Sequence, residues 1–153
     1  MTNQIVKFEY QPRMPMRSEA QVKGLLEYAR PDLAKDIPSS ARCTVDLIIQ
    51  SAITTIMASE ALMQCTQEST LLSVRTAAQL GLPFVKALGY AALVPYKGVC
   101  ELQVMYRGLA DLATRAAKAL RLDAQLVCAG DVIEIEMGTN PHVHHKPSLT
   151  TPR

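Results

Sequence analysis

A chain of 153 residues, 48% hydrophobic and 20% charged, can bury a core without covalent or metal staples. Its four cysteines lie far apart and form no Cys-x-x-Cys pair, which argues against a zinc ribbon, and no apolar run approaches a membrane span. The net charge of +2 hides an asymmetry: residues 1–60 carry seven bases and seven acids, residues 61–121 seven against three, and residues 122–153 two against four.

The excess of positive charge at the centre points to an anionic partner. No apolar h-region follows the N-terminus, so the chain is read as cytoplasmic, with reduced cysteines. Residues 1–20 lack sustained periodicity and contain Pro12 and Pro15, as an arm would. A short helix is expected over Gln21–Ala29, stopping near Pro31. Residues 1–38 are therefore expected to form an N-terminal arm, partly disordered or a short helix, ahead of a core at residues 39–153.

Ser39 or Ser40 is the expected N-cap of a helix over Ala41–Met63. Its apolar stripe is Val45, Ile48, Ile49, Ala52, Ile53, Ile56 and Met57. Thr66 caps the next predicted helix, Gln67–Leu80, with Glu68 in the first turn and Leu71, Val74, Ala77 and Ala78 on its buried face. Gly81 ends it and Pro83 prevents its resumption. Two strands follow, Gly89–Pro95 and Val99–Tyr106, around the turn Tyr96-Lys97-Gly98, where Gly98 supplies a positive φ. Alternation places Cys100, Leu102, Val104 and Tyr106 on one face of the second strand.

A helix over Arg107–Leu120 comes next. Its period puts Leu109, Leu112, Ala113, Ala116 and Leu120 on an inward side. Arg107, Asp111, Arg115, Lys118 and Arg121 fall on the outward side, a nearly all-cationic face suited to phosphate. Three strands close the chain: Leu122–Cys128, Val132–Met137 and Val143–Lys146, separated by turn residues. The fold expected is α+β, helices packed on a mainly antiparallel sheet, in the order α-α-β-β-α-β-β-β.

Other chemistry finds little support. His142-x-His144-His145 offers metal ligands, but no carboxylate or cysteine is spaced to complete a site. There is no Walker P-loop, no Gly-x-Gly-x-x-Gly and no Gly-x-Ser-x-Gly. Glu134 and Glu136 alternate along a strand as a solvated face would. Hence no catalytic residue, no metal and no cofactor is assigned.

The motifs themselves carry a resemblance. LMQCTQES at Leu62–Ser69 and AAQLGLP at Ala77–Pro83 are followed by GYAALVPYKG at Gly89–Gly98, LQVMYRGLADLATR at Leu102–Arg115 and HKP at His145–Pro147. In this order they resemble the RecT family of phage and prophage single-strand annealing recombinases, over somewhat more than half of the chain. The resemblance implies an ATP-independent, non-enzymatic protein that binds single-stranded DNA, anneals complementary strands into duplex, and assembles as a homo-oligomeric ring or filament. A phage 5′→3′ exonuclease and the host single-strand-binding protein are the further partners it implies. The expected DNA contacts are Lys97 and Arg107, extended by Arg115, Lys118 and Arg121, with Arg75 and Lys86 outside the helix and Tyr96 stacking on bases.

Two departures are visible. Ala116-Ala117-Lys118-Ala119-Leu120 replaces the family's glycine-containing turn. The chain also stops at Arg153, short of the family's C-terminal region, so it is expected to be truncated. The alternatives are a truncated remnant that only oligomerises or is inactive, and a metal-dependent hydrolase using the histidines.

Overall fold

A computed structural model describes residues 10–16, 18–117 and 125–148. The chain divides into two compact units, Met1–Leu120 and Arg121–Arg153.

The first unit begins with α1 (Glu19–Asp36), whose N-cap Ser18 accepts a hydrogen bond from the Gln21 N–H at 3.3 Å. Val22, Leu25, Leu26, Ala29 and Leu33 recur at helical spacing and are buried. Pro31 does not end this helix. It sits on the exposed side, where its ring meets solvent, while Leu33 two residues on is buried. Burying a leucine is worth roughly 1.5–3 kcal/mol, the same order as the ~3 kcal/mol that an interior proline costs. Arg30 also ties the helix down, donating to Glu27 at 2.6 Å and to Asp46 at 2.5 Å.

The second predicted helix is two helices. α2 (Val45–Met57) starts not at Ser39 or Ser40 but at Thr44, whose hydroxyl accepts from the Leu47 N–H. α3 (Glu60–Met63) follows after a break at Ala58–Ser59. Ile48, Ile49, Ala52, Ile53 and Ile56 enter the core as their period demands. α4 (Gln67–Leu80) has the expected ends, with Thr66 accepting from the Ser69 N–H and Gly81 left-handed at φ 65°. Its buried face is more polar than expected, since Gln67, Thr70 and Ser73 join Val74, Ala77 and Ala78.

The strands β1 (Ala91–Tyr96) and β2 (Val99–Val104) pair antiparallel, from Ala91 opposite Val104 to Tyr96 opposite Val99. Ala91, Leu93 and Cys100 face the core. Cys100 also joins the hairpin to α4: its N–H donates to Ser69 Oγ at 3.0 Å and its carbonyl accepts from Ser73 Oγ at 2.8 Å. Burial pushes the Cys100 thiol up to about 11, with Cys65 nearby adding to the effect, so it is a neutral core group. Tyr106 is not part of β2. It opens α5 (Tyr106–Ala117) and is 69% exposed.

In the second unit β3 (Val132–Glu136) and β4 (His142–Lys146) form another antiparallel hairpin. No strand forms over residues 125–128, at whose end the Cys128 N–H donates to the Asp131 carboxylate; residues 122–124 lie outside the described residues. The molecule is thus α+β with two small antiparallel sheets among the described residues, rather than one larger sheet. No described helix is long and apolar enough to cross a membrane.

Candidate nucleic-acid interface

The hairpin turn has only two residues between paired positions, Lys97 and Gly98, at φ 48° and 80°. Two successive positive φ values define a turn whose twist matches the strands, and Asn-Gly is its favoured sequence. Lys97 occupies the left-handed region with neither the missing Cβ of glycine nor the short polar side chain of asparagine, at a cost of about 1–2 kcal/mol. Its ammonium lies 5.3 Å from the centroid of the Tyr96 ring, which is 57% exposed. The tip is moored from behind, since the Gly98 carbonyl accepts from the Thr66 N–H at 3.1 Å.

Arg13 comes to this neighbourhood through the bridge between Pro15 and Thr66 and the bond from the Gln67 N–H to the Met14 carbonyl. It is exposed. Sequence reasoning missed it, because pairing across fifty residues leaves no local signal.

At the other end of the hairpin, the Met105 N–H donates to the Tyr90 carbonyl at 3.0 Å and α5 departs at once. A Cβ on Gly108 would stand 2.2 Å from the Tyr90 oxygen, so only glycine lets the helix cross the chain there. This explains the glycine of Tyr-Arg-Gly. Arg107 is exposed, and its Nε donates to the Tyr106 hydroxyl at 3.5 Å, which favours the charged guanidinium. The Arg107 stem passes Gly89, where an added Cβ would be 3.6 Å from Cδ. Gly89 closes the turn that begins at Val85 and carries the exposed Lys86. Lys86, Tyr106 and Arg107 therefore gather at the hairpin base, and no acid lies in the first turn of α5.

The remaining predicted contacts are placed differently. Arg115 is only 10% exposed; its Nε pairs with Asp111 at 2.8 Å and its Nη2 donates to the Leu80 carbonyl at 2.6 Å. It thereby satisfies one of the carbonyls left open at the end of α4. The faces of α5 are correspondingly not those expected. Asp111 and Arg115 turn inward with Leu112, while Leu109 (58% exposed), Ala113 and Ala116 turn outward. Gly108 fixes this rotation, because only its face can approach Tyr90 closely. Arg75 pairs with Asp36 at 2.6 Å on the α1 side of α4. Lys118, Leu120 and Arg121 lie outside the described residues.

In the second unit, Asp131 is almost fully enclosed and accepts from the Cys128 N–H at 2.9 Å, the Ser148 N–H at 2.7 Å and His145 Nε2 at 3.0 Å. The two backbone donors, and then His145, hold this carboxyl well below the usual aspartate range. His145 is thus engaged with Asp131. His142 lies 3.4 Å from Glu136 across the polar face of the hairpin. No group of three or more potential ligands is arranged for a metal among the described residues.

A model of the RecT family matches residues 46–153. Protein RecT of Escherichia coli strain K12 is 30% identical over 162 aligned positions, which cover 96% of this chain and 60% of that protein. The uncharacterized protein YqaK of Bacillus subtilis strain 168 is 34% identical over 124 positions, covering 76% of this chain and 42% of its own. The chain therefore spans about half the length of these curated relatives. No solved structure is significantly similar to it.

Proposed function

The chain belongs to the RecT family, and from that premise we propose that it binds single-stranded DNA and anneals complementary strands in recombination, without nucleotide hydrolysis and as an oligomer. The observation that carries this reading is the set of exposed cations beside exposed tyrosines at the two ends of the hairpin, Lys97 with Tyr96 at its tip and Arg107 with Tyr106 at the start of α5, joined by Lys86. Annealing needs a strand held by its backbone with base edges left available. Lysine and arginine contact phosphate without reading sequence, and exposed rings accept any base face. Arg115 and Arg75 serve this surface through the helices they tie, and Arg13 adds charge near the tip. The outward Leu109, Ala113 and Ala116 of α5 support the oligomeric part, since an apolar helix face left in water invites a protein partner.

The test uses two complementary oligonucleotides carrying a fluorophore and a quencher, mixed with the full chain at low salt without ATP. Pairing should be faster than the spontaneous reaction. Equal rates with folded protein would remove the annealing reading.

A further inference from the structure

Resting on that reading, we propose that the β1–β2 hairpin is a spacer between two separate nucleotide-binding stations on one subunit. Tyr96 and Lys97 form the tip station. Tyr106, Arg107 and Lys86 form the base station.

The register places the stations at opposite ends of the ladder, since Tyr96 pairs with Val99 beside the turn and Ala91 pairs with Val104 just before α5. Six residues of strand separate them by about 17–20 Å. Each station contains the same pair, an exposed tyrosine followed in sequence by a cation that lies over its ring or bonds its hydroxyl. Between them the outward face carries Ala92, Val94, Glu101 and Gln103. That stretch has no cation and one carboxylate, so it does not hold phosphate. A strand gripped at both stations is fixed at two points and left free over the bases between.

The left-handed backbone at Lys97 points the same way. A cation is kept at a turn position where asparagine or glycine would fit with less strain, and strain of this kind is a pointer to a functional position. At the base, the positive N-terminal end of the α5 dipole, with no acid in its first turn, adds to the pull of Arg107 on a phosphate. At the ~3.4 Å rise of a stacked strand the spacing corresponds to about five or six nucleotides, and to fewer when the strand is stretched.

The experiment compares a thymidine oligomer of about twelve nucleotides, which can reach both stations, with a trinucleotide, whose two internucleotide steps span only about 14 Å even at twice the stacked rise. The tip variant is Tyr96→Ala with Lys97→Asn, which preserves the turn. The base variant is Tyr106→Ala with Arg107→Ala. All these side chains are exposed, and unchanged melting curves check that the variants fold. Affinity for the longer oligomer is read by fluorescence anisotropy. Binding of the trinucleotide is read from the resonances of fluorotyrosine at positions 96 and 106, which respond even to weak ligands.

Each variant should weaken the longer oligomer about tenfold or more, and the two combined should lose roughly the product. With the trinucleotide both tyrosine signals should move. Removing one station should leave the other's titration midpoint within about twofold. The proposal is overturned if the tip variant binds the longer oligomer like wild type. Equally, it fails if either variant alone abolishes the trinucleotide response, or if the trinucleotide moves neither signal while the longer oligomer binds. A wild-type chain that fails to bind the longer oligomer at low salt would instead remove the DNA-binding reading on which the stations rest.

Discussion

Arg107 and Arg115 lie two helical turns apart on α5, carry the same group, and do opposite things. Arg107 is open to solvent, whereas Arg115 bonds Asp111 and the end of α4. Counterion release makes the difference measurable. Arg107→Ala should weaken oligonucleotide binding and flatten the slope of log affinity against log salt by about 0.7. Arg115→Ala should leave that slope unchanged and lower unfolding stability by roughly 1.5–3 kcal/mol, because a charge-assisted bond to a carbonyl is lost and Asp111 is left unpaired. Anisotropy over a salt series, with urea melts of the same samples, separates the two. A further contrast sits at the turn. Lys97→Asn relieves a left-handed lysine, so it should stabilise the chain by up to about 1 kcal/mol while weakening DNA binding. A Lys97→Asn chain that loses both stability and affinity would mean that the ammonium mainly braces the hairpin through Tyr96.

At the scale of elements, what could be read in advance follows from where the determining contacts lie. α4 was legible to the residue because both of its ends are local: Thr66 caps it, Gly81 closes it and Pro83 follows. The hairpin was legible as a hairpin turning at Gly98, but its strand ends were not: Tyr96 belongs to β1 and Tyr106 to α5, because pairing and the start of the helix decide them. α1 runs past the stop that its sequence predicts, because proline is a local signal while burial of Leu33 is a tertiary one. In α5 the period correctly revealed two faces but could not say which one meets the body. That is decided by Gly108 against the Tyr90 carbonyl, a contact no periodicity contains. The exposed pairs Tyr96–Lys97 and Tyr106–Arg107 were visible as residue types, but their separation by the length of the hairpin was not. Gly108→Ala tests the same contact. The added methyl must push α5 away from the hairpin base, with a cost of about 1–3 kcal/mol. Because Arg107 moves with the helix, affinity should fall as well, with the salt slope retained. Thermal melts and anisotropy on this variant check both; an unchanged melting temperature would show that the helix start shifts freely.

Across the whole molecule, stability is unevenly distributed. The first unit has a continuous core from Met16 to Cys100, built on α1, α2, α4 and the inner face of the hairpin. The described residues of the second unit include no buried apolar side chain, and Val132, Ile133, Ile135, Met137 and Val143 are all exposed. A two-stranded hairpin is marginal in water on its own, so its tertiary hold falls to Asp131, which joins the Cys128 turn to His145 and Ser148 beyond the second strand. Local opening is cheapest where buried apolar contacts are fewest. Amide hydrogens of β3 and β4 should therefore exchange much faster than those of α4 and β1. The Asp131 carboxyl is held below its ordinary value, so its contribution is complete above the unfolded aspartate value of about 4 and is lost as pH falls below it. Lowering the pH from about 6 to about 3 should consequently reduce the protection in β3 and β4, after correction for the intrinsic exchange rate, and its complete loss requires the pH to fall through the still lower folded value. Asp131→Asn should bring a loss of protection already at pH 6, because the amide cannot offer two accepting oxygens to its three donors. Protection in α4 should not change in that variant, since Asp131 has its hydrogen-bond partners inside the second unit. Loss of protection in α4 on Asp131→Asn would show that the carboxylate stabilises more than the turn and strand it joins.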